Sequence, residues 1–501
     1  MTEAKTSRWT KSLLHGIFAQ RDRDRAHGLT LRTRYGAEAL RIPYADMPGI
    51  IAAHVDHLRA QGIERGTRIL MPFETDARII FAFLALLAIG AIPFSVKPSP
   101  GGTQRASYIA MLTRISERHG VELLLDTPGT KDVELPLRRI PLFSHAEDAR
   151  SQPNVDLDIA PDDIAFVQFT SGSTSVPKGI PVSHDKLVTQ LEILAHTCGM
   201  NASTRGSSWL PLFHDMGLIA GLLSCIHSGS PLDLGTPMAF LLSPLGWLEH
   251  MSETRAHSTI VPNFAIEYCV RALRDADASE LETIRLDALK SIFLGSEPIN
   301  IDVMLEFTEL LAPRGLDVRA VKPAYGMAEA VLMVTGTRQD EHYRILSPSG
   351  SARHISVGKP HPSFEIRIRN EDGSFCKDGD SGEIEIRGGT LVSAYLEHEH
   401  PLLDAEGFYH TGDIGFVESG ELFILGRTGE RFKINAQSYF AADVEHALLR
   451  LPIARPGYVA AIQTGSRILG LIEVVRNKDR AHLDEMRAPG VEYGFGSLGL
   501  K

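Results

Sequence analysis

One segment decides how the rest of the chain is interpreted: Ile164-Ala-Phe-Val-Gln-Phe169-Thr-Ser-Gly-Ser-Thr-Ser-Val-Pro-Lys178-Gly179. Its first six residues form the apolar run of a buried strand. The ten that follow contain five hydroxyl side chains, two glycines and one lysine. Glycines let a backbone approach an anion, hydroxyl and N–H groups donate hydrogen bonds, and Lys178 adds a positive charge. The sequence therefore predicts a phosphate-binding loop in a strand-to-helix turn.

This loop differs from the Walker phosphate loop, because its lysine is followed by Gly179-Ile180 and not by serine or threonine. A plain Ser/Thr-rich surface turn is the alternative interpretation. Pro-Lys-Gly shortly after the hydroxyl-rich run is more particular than such a turn requires, and it favours the phosphate loop.

Helix and strand patterns alternate on both sides of the loop. Ile51, Val55 and Leu58 have helical spacing within residues 49–62, and residues 68–73 form an apolar strand pattern. The apolar run Ile79–Val96 has about the minimum length of a membrane span, but Gly90 and Pro93 interrupt it. We interpret it as a buried helix ending near residues 87–88, a turn and a buried strand. The alternation predicts layered α/β subdomains.

The sequence pattern changes after residue 355, where short strand-like segments are separated by Gly, Asp and Asn turn residues. The chain is therefore predicted to have a large N-terminal domain over residues 1–426, with a β-rich, barrel-like subdomain at about 355–426. A hinge at 427–431 and a small α+β C-terminal lid at 432–501 complete the organisation.

Composition limits the partners and the compartment. The chain has 501 residues and a formal net charge of −11, which argues against nucleic-acid binding. Its four cysteines lack metal-binding spacing and are interpreted as reduced thiols. The first residues lack the apolar core of a signal peptide. A cytoplasmic protein without a membrane span is expected.

Seven further motifs resemble the acyl-adenylate-forming superfamily, in the order found there. The resemblance runs from about residue 30 to 445 and is strongest to fatty acyl-AMP ligases and acyl-CoA synthetases. After TSGSTSVPKG (170–179) the motifs are SSWLPLFHDMGLIAGLL (207–223), VPNFAIEYCVR (261–271), LGSEPI (294–299), AYGMAEAVLMVTG (324–336), GEIEIRG (382–388), YHTGDIGF (409–416) and GELFILGR (420–427).

The resemblance implies a two-step reaction. A carboxylate attacks the α-phosphorus of ATP to give acyl-AMP and pyrophosphate, and a thiol then displaces AMP. A carboxylic acid with a reference pKa of ~4–5 is already ionised at pH 7, so the first step needs no general base. Alignment and neutralisation of charge must supply the catalysis. ATP and Mg²⁺ are the expected cofactors.

The resemblance also assigns roles to individual residues. Lys178 and Glu329 are expected to be catalytic, with Glu329 and Thr170 as magnesium ligands. Asp413 is expected to bind the ribose hydroxyls, Tyr325 the adenine face and Arg427 the ribose or phosphate. The remaining expected nucleotide-binding residues are Thr170, Ser171, Gly172, Ser173, Thr174, Gly295, Ser296, Glu297, Pro298, Ala324, Gly326 and Met327.

The expected acid-binding residues are His214, Asn263, Phe264 and Gly326. His214 would border the carboxylate and have a catalytic role; the alternative is a satisfied buried histidine. The apolar run Leu218–Leu223 fits either the wall of an acyl tunnel or ordinary core.

Three departures from the family pattern concern the loop and the lid. Ser175 and Ala436 replace glycines, and the late lysine of the lid, which contacts the reacting groups, is missing. Lys433 matches a lysine of the rotated lid and is the expected catalytic substitute. Gly429 stands at the hinge position, where it would allow a large change in backbone angles.

The acceptor and the activity stay open at this stage. Fatty acyl-AMP ligases carry an inserted segment that disfavours CoA, and the stretch between Gly336 and Gly358 is short here. The acceptor is therefore expected to be CoA or a phosphopantetheinyl acyl carrier protein, and the acid a fatty or polyketide-like molecule. A strict acyl- or aryl-CoA ligase and a catalytically impaired nucleotide-binding homologue are the alternatives.

Overall fold

The structure is a computed structural model. It describes residues 12–19, 25–37, 39–143, 155–169, 177–347, 353–398, 400–434, 437–441, 444–445, 448, 454–464 and 467–474.

The α-helices of the described residues are, in chain order, α1 (Leu13–Ala19), α2 (Met47–Ala60), α3 (Ala77–Ile89), α4 (Arg105–His119), α5 (His184–Cys198), α6 (Ser224–Ser228), α7 (Pro237–Leu242), α8 (Pro244–Glu253), α9 (Asn263–Asp275), α10 (Ala278–Leu281) and α11 (Ile301–Leu311). A π-helix, Met216–Leu223, directly precedes α6.

The β-strands of the described residues are β1 (Gly28–Leu31), β2 (Leu40–Pro43), β3 (Arg68–Pro72), β4 (Ile92–Val96), β5 (Leu123–Asp126), β6 (Arg138–Pro141), β7 (Ile164–Phe169), β8 (Gly179–Ser183), β9 (Gly206–Ser208), β10 (Leu232–Leu234), β11 (Ser258–Pro262), β12 (Ser291–Gly295), β13 (Val321–Gly326), β14 (Met333–Gly336), β15 (Ile345–Leu346), β16 (His354–Ile355), β17 (Lys359–Pro360), β18 (Phe364–Arg369), β19 (Gly382–Gly388), β20 (Tyr409–Glu418), β21 (Glu421–Arg427), β22 (Arg431–Ile434), β23 (Gln437–Phe440), β24 (Ala454–Thr464) and β25 (Arg467–Val474).

Two large sheets form the α/β layers. The nine-stranded sheet has the order β17-β14-β13-β12-β11-β9-β10-β1-β2, and its pairs from β13 through β1 are parallel. The six-stranded sheet has the order β6-β5-β3-β4-β7-β8 and is parallel except for the pair β7–β8. One connected cluster of buried apolar side chains contains residues of both sheets and of α3. The predicted α/β layering is confirmed.

The apolar run Ile79–Val96 folds as a buried helix and strand. Every residue of α3 except Arg78 is buried, and α3 ends at Gly90, which adopts the left-handed conformation with φ 78°. A β-carbon is disfavoured there, so glycine ends the helix and lets β4 join the six-stranded sheet. No helix among the described residues is both long and apolar enough to span a membrane.

The β-rich unit consists of a four-stranded antiparallel sheet with the order β18-β19-β20-β21. Its described strands do not close into a barrel. In the lid region, β22 pairs with β23 and β24 with β25, both antiparallel. These strand pairs lie in the region predicted to form the lid. The predicted domain boundaries stay predictions.

Candidate active site

The predicted site residues gather where parallel strands of the nine-stranded sheet end. Asn263 follows β11, Ser296 follows β12, and Tyr325 lies in the last residues of β13. Ligands of open α/β sheets bind in the crevice beyond these carboxyl ends. The fold therefore collects side chains that are far apart in the sequence at one edge.

The Asp413 corner consists of Tyr325, Asp413 and Arg427. The Tyr325 hydroxyl donates a hydrogen bond to Asp413 Oδ2 at 2.7 Å, and Arg427 Nε lies 3.1 Å from Asp413 Oδ1. Asp413 is buried and opposite Arg427 in the antiparallel pair β20–β21. Burial raises the pKa of Asp413, and the hydrogen bond from Tyr325 and the charge of Arg427 counteract that rise. This corner presents an acceptor carboxylate beside a cation.

The predicted phosphate loop is closed at its base by strand pairing. Phe169 of β7 pairs with Gly179 of β8, and α5 begins only after Ser183. The prediction of a strand-to-helix turn is therefore wrong: the segment Gly179–Ser183 forms an antiparallel strand, which shields the apolar side chains Ile180 and Val182 in the core. Lys178, directly before that strand, is exposed. The predicted loop residues Thr170, Ser171, Gly172, Ser173 and Thr174, together with Ser175, lie outside the described residues.

Glu329 lies in the short 3₁₀ turn Ala328–Ala330 after β13. Its Oε1 accepts a hydrogen bond from the hydroxyl of Tyr395 at 2.7 Å. The ammonium of Lys178 lies over the same Tyr395 ring, 4.6 Å from its centroid. Tyr409 is a further neighbour, and burial together with the Glu329 carboxylate raises the pKa of Tyr409 to about 12. The predicted phosphate-side residues Lys178 and Glu329 are thus brought together around two tyrosines.

His214 and Asp215 stand at the start of the π-helix. His214 is exposed, with its ring 4.7 Å from that of Phe213, so the alternative of a buried histidine is wrong. Asp215 Oδ1 accepts the backbone N–H of Met216 at 2.7 Å. Burial and the nearby charge of Glu329 raise the pKa of Asp215 to about 6. π-helical turns are frequent at functional sites, where they alter the direction of side chains.

The Glu267 corner consists of Asn263, Glu267 and Glu297. Asn263 Nδ2 donates to Glu267 Oε1 at 2.9 Å, and Glu297 Oε2 accepts the backbone N–H of Phe264 at 3.1 Å. Burial and the charge of Glu297 raise the pKa of Glu267 to about 7. In this arrangement the Glu297 carboxylate bonds to the first turn of α9. Its predicted contact with the nucleotide stays a prediction.

The loop after β12 and the end of β13 carry the other predicted adenine-side residues. Ser296 has φ 73°, a left-handed conformation that is rare outside glycine. Ser296 and Pro298 are exposed, and Ala324 and Met327 are half-buried. A β-carbon on Gly295 would lie 3.0 Å from the Ala324 carbonyl oxygen, and one on Gly326 would lie 1.8 Å from that of Leu332. Gly326 is thus required by a close backbone approach.

A narrow cavity of about 20 Å³ lies between the nine-stranded sheet and the π-helix, and its lining does not include the predicted acid-binding residues His214, Asn263, Phe264 and Gly326. Its lining is mostly apolar and includes Ile260, three residues before Asn263, and Phe293, two before Gly295. The π-helix contributes Ala220 and Gly221. The run Leu218–Leu223, which the sequence left as tunnel wall or core, is buried, and of its residues Ala220 and Gly221 line the cavity. Phe264 lies edge-on to Trp209, with ring centroids 6.1 Å apart.

The hinge and lid residues are described in part. Gly429 lies in the exposed 3₁₀ turn Thr428–Glu430, where an added β-carbon would meet nothing within 4 Å. Lys433 belongs to β22. Ala436 lies outside the described residues. The roles predicted for the hinge and for Lys433 stay predictions.

Comparison with known proteins identifies the family. A family model described as AMP-binding enzyme matches residues 41–396. The chain belongs to the AMP-binding enzyme family. A putative acyl-CoA synthetase of Caulobacter vibrioides is 30% identical over 448 residues, which cover 83% of this chain and 77% of that protein. The medium-chain-fatty-acid–[acyl-carrier-protein] ligase JamA of Moorena producens is 26% identical, covering 84% of this chain and 77% of that one.

Solved structures agree with this membership. A structure from studies of fatty acyl-adenylate ligases of E. coli and L. pneumophila superposes with a TM-score of 0.85 at 24% identity and covers 95% of this chain and 90% of that chain. The fatty acyl-adenylate ligase of L. pneumophila in complex with acyl adenylate and pyrophosphate has a TM-score of 0.75 at 27% identity, covering 95% and 88%. The predicted family, the adenylating-enzyme fold and the class of adenylate-forming ligase are confirmed.

The side chains of this AMP-binding enzyme suit ATP and a divalent cation. Glu329 and Asp215 offer carboxylate oxygens, the ligands that Mg²⁺ prefers. Their mutual repulsion, which contributes to the raised pKa of Asp215, would be relieved by a cation. The donor set therefore fits the predicted metal.

A second group of possible metal ligands lies away from this crevice, on the four-stranded sheet. Ligand atoms of Glu385, Asp404 and His410 lie within 4.8 Å of one another. However, Arg367 and Arg369 both form ion pairs with the buried Glu385. The guanidinium groups already neutralise that carboxylate, so this group is structural.

Tyr395, Tyr409 and Asp215 are site residues that the sequence reasoning missed. Tyr395 and its neighbours SAYLEHEH (393–400) lie outside the family motifs, and Asp215 lies within the motif 207–223 without an expected role. The signal for Asp215 was its place before a run of eight apolar residues or glycines, where an acidic residue caps a helix.

Proposed function

We propose that this protein activates a fatty or polyketide-like carboxylic acid with ATP to give acyl-AMP and pyrophosphate, and then transfers the acyl group to a thiol. The observation that carries the proposal is the convergence of two clusters at one sheet edge. The Asp413 corner offers an acceptor for ribose beside a cation, and Glu329 and Lys178 stand together for the phosphates and their metal.

In the first step the substrate carboxylate, already ionised, attacks the α-phosphorus, and the pyrophosphate oxygen leaves. Mg²⁺, bound with the triphosphate, would neutralise the charge on the leaving group. Lys178 adds a second positive charge from the end of the phosphate loop, and Asp413 fixes the ribose so that the attacking and leaving oxygens are in line. Catalysis is thus positioning and electrostatics, without proton abstraction from the acid.

The narrow cavity supports an acyl substrate. Its mostly apolar walls lie between β11 and the π-helix, and its volume of about 20 Å³ would have to widen to take an acyl chain. His214, exposed two residues before the π-helix, would border the carboxylate. An apolar chain gains free energy from burial in such walls, at about 0.8 kcal/mol per methylene group.

The proposed acceptor is a phosphopantetheine thiol. Relatives from Moorena producens and Teredinibacter turnerae are named acyl-carrier-protein ligases, and they favour a carrier protein. The relative from Caulobacter vibrioides, a putative acyl-CoA synthetase, keeps CoA as the second candidate. Incubation of the protein with ATP, Mg²⁺, acid and either CoA or a holo-carrier protein, followed by mass spectrometry of the product, separates the two.

The first step is tested by acid-dependent exchange of labelled pyrophosphate into ATP, with a panel of acids of increasing length. We expect exchange with at least one acyl acid, and a fall of about 10²–10³-fold in Lys178→Ala and Glu329→Ala, because each removes a charge at the transferring group. The matched controls Lys131→Ala and Glu134→Ala change exposed residues outside the site and should retain exchange.

Two results would contradict the proposal. Wild-type exchange in both site variants would refute their assigned roles. ATP binding without exchange for any acid would favour the nucleotide-binding homologue.

A further inference from the structure

The segment of residues 390–396, which we call the strap, ties the two phosphate-side elements together. The backbone N–H of Val392 donates to the Glu329 carbonyl at 2.9 Å, and that of Leu396 donates to the Gly179 carbonyl at 2.8 Å. At its start, the Thr390 hydroxyl donates to the carbonyl of Ala330 at 2.8 Å. The strap is thus fixed to the turn that carries Glu329 and to the strand that follows Lys178.

Tyr395 places its side chain between the two charged groups. Its hydroxyl is 2.7 Å from Glu329 Oε1, and its ring centroid is 4.6 Å from Lys178 Nζ. The residue is only 9% exposed, so the ring has little freedom to move away. The hydroxyl is the donor in this bond, because an ionised carboxylate can only accept.

The two contacts use opposite ends of one amphipathic side chain. The face of an aromatic ring attracts a cation, and a phenol donates a strong hydrogen bond to a carboxylate. In the part of the chain that the structure describes, no ion pair joins Lys178 to Glu329, although both contact Tyr395. A direct ion pair between them would have to break before Lys178 could bind a triphosphate and Glu329 could bind a cation.

We propose that Tyr395 is a positioning residue that holds Lys178 and Glu329 apart, each ready for its ligand, before ATP and its divalent cation bind. The proposal rests on the proposed function of the site. The neutral ring and hydroxyl satisfy both charges without neutralising either. Preorganisation of this kind lowers the cost of arranging charged groups when the ligand arrives.

Equilibrium binding of ATP by calorimetry, with Mg²⁺ and with EDTA, tests this in the full chain without any acid. Tyr395→Phe keeps the ring beside Lys178 and loses the hydrogen bond to Glu329. We expect it to weaken binding of Mg·ATP about tenfold and to leave binding in EDTA close to wild type. Tyr395→Leu also removes the ring, and it should weaken binding in both conditions.

The matched control is Tyr44→Phe, which removes another buried tyrosine hydroxyl bond, to the Ser230 carbonyl at 2.6 Å. It should bind ATP like the wild type in both conditions. In pyrophosphate exchange, the Tyr395→Phe variant should raise KM for Mg·ATP while KM for the acid stays unchanged, a split that general loosening of the fold would not produce.

Unchanged Mg·ATP binding in Tyr395→Phe would overturn the proposal, as would equal weakening with Mg²⁺ and with EDTA. If Tyr395→Leu fails to fold, Tyr395→Phe alone decides. The proposed function fails separately: a wild-type chain without exchange for any acid would refute adenylate formation, whereas a magnesium-specific binding defect in Tyr395→Phe would still support the positioning role.

Discussion

The Asp413 corner and the Glu267 corner each bury a carboxylate at the same sheet edge, but with opposite neighbours. Asp413 stands beside Arg427 and accepts a hydrogen bond from Tyr325. Glu267 stands beside a second carboxylate, Glu297, and an amide. A cation favours the ionised form of a buried carboxylate, and a like charge favours the protonated form. The first corner is therefore built to offer a charge to a ligand, and the second to hold a proton within the structure.

Among the changes that compare the two corners, the largest effect is expected from Asp413→Asn. The amide removes the charge that pairs with Arg427 and weakens the proposed bonds to the ribose, and loss of such charge-assisted bonds lowers kcat/KM for ATP by about a hundredfold. Pyrophosphate exchange at varied ATP concentration measures this. The exposed Asp372→Asn serves as the control. Equal kcat/KM in the two variants would remove the distinction between the corners.

A smaller effect, on stability, is expected from Glu267→Gln. Because the pKa of Glu267 is raised from 4.5 to about 7, the folded chain retains a proton that the unfolded chain releases between these values. The free energy of unfolding of the wild type therefore falls as pH rises from 4.5 to 7. Glutamine lacks this proton and keeps the acceptor for Asn263. The variant should be more stable than the wild type by about 2 kcal/mol at pH 8.

Thermal unfolding at pH 8 and pH 5 checks the direction in which the stability difference changes with pH. The difference in free energy of unfolding between Glu267→Gln and wild type should shrink about fourfold from pH 8 to pH 5, because Glu267 is protonated in the folded state at pH 5. Glu134→Gln, an exposed carboxylate, should show no gap at either pH. A gap of the same size at both pH values would mean that Glu267 is not held protonated.

The smallest effect is expected from Ser296→Gly, in the loop between the two corners. A non-glycine residue in the left-handed conformation costs about 1–2 kcal/mol, and the greater freedom of glycine in the unfolded chain offsets part of the gain. A net stabilisation of about 0.5 kcal/mol is expected by thermal unfolding. Ser296→Ala keeps the β-carbon and should give none. Stabilisation by alanine as well would show that backbone strain is not the cause.

Sequence reasoning predicted what depends on local pattern. The helix, the turn at Gly90 and the strand of the run Ile79–Val96 were predicted correctly. The length of an apolar run and a glycine at its end are local signals. The Asp413 corner came from ordered motifs: Tyr325, Asp413 and Arg427 were all chosen, and the structure brings them into contact.

The remaining features arise from contacts between distant segments. Strand β8 exists because Gly179–Ser183 pairs with β7, and five residues carry too little pattern to show that. Glu297 bonds to α9 across 33 residues, and Tyr395 reaches Glu329 across 66. No sequence pattern spans such separations, so neither contact could be predicted from the sequence. Such long-range contacts are what the structure adds to the site.

The most direct measurement of the central claim is a crystal structure of the full chain with a non-hydrolysable acyl-sulfamoyl adenosine. The account predicts the ribose hydroxyls on Asp413, the adenine beside Tyr325 and the acyl chain in the cavity between β11 and the π-helix. An inhibitor bound with its ribose away from Asp413, or with its acyl chain outside that cavity, would contradict it.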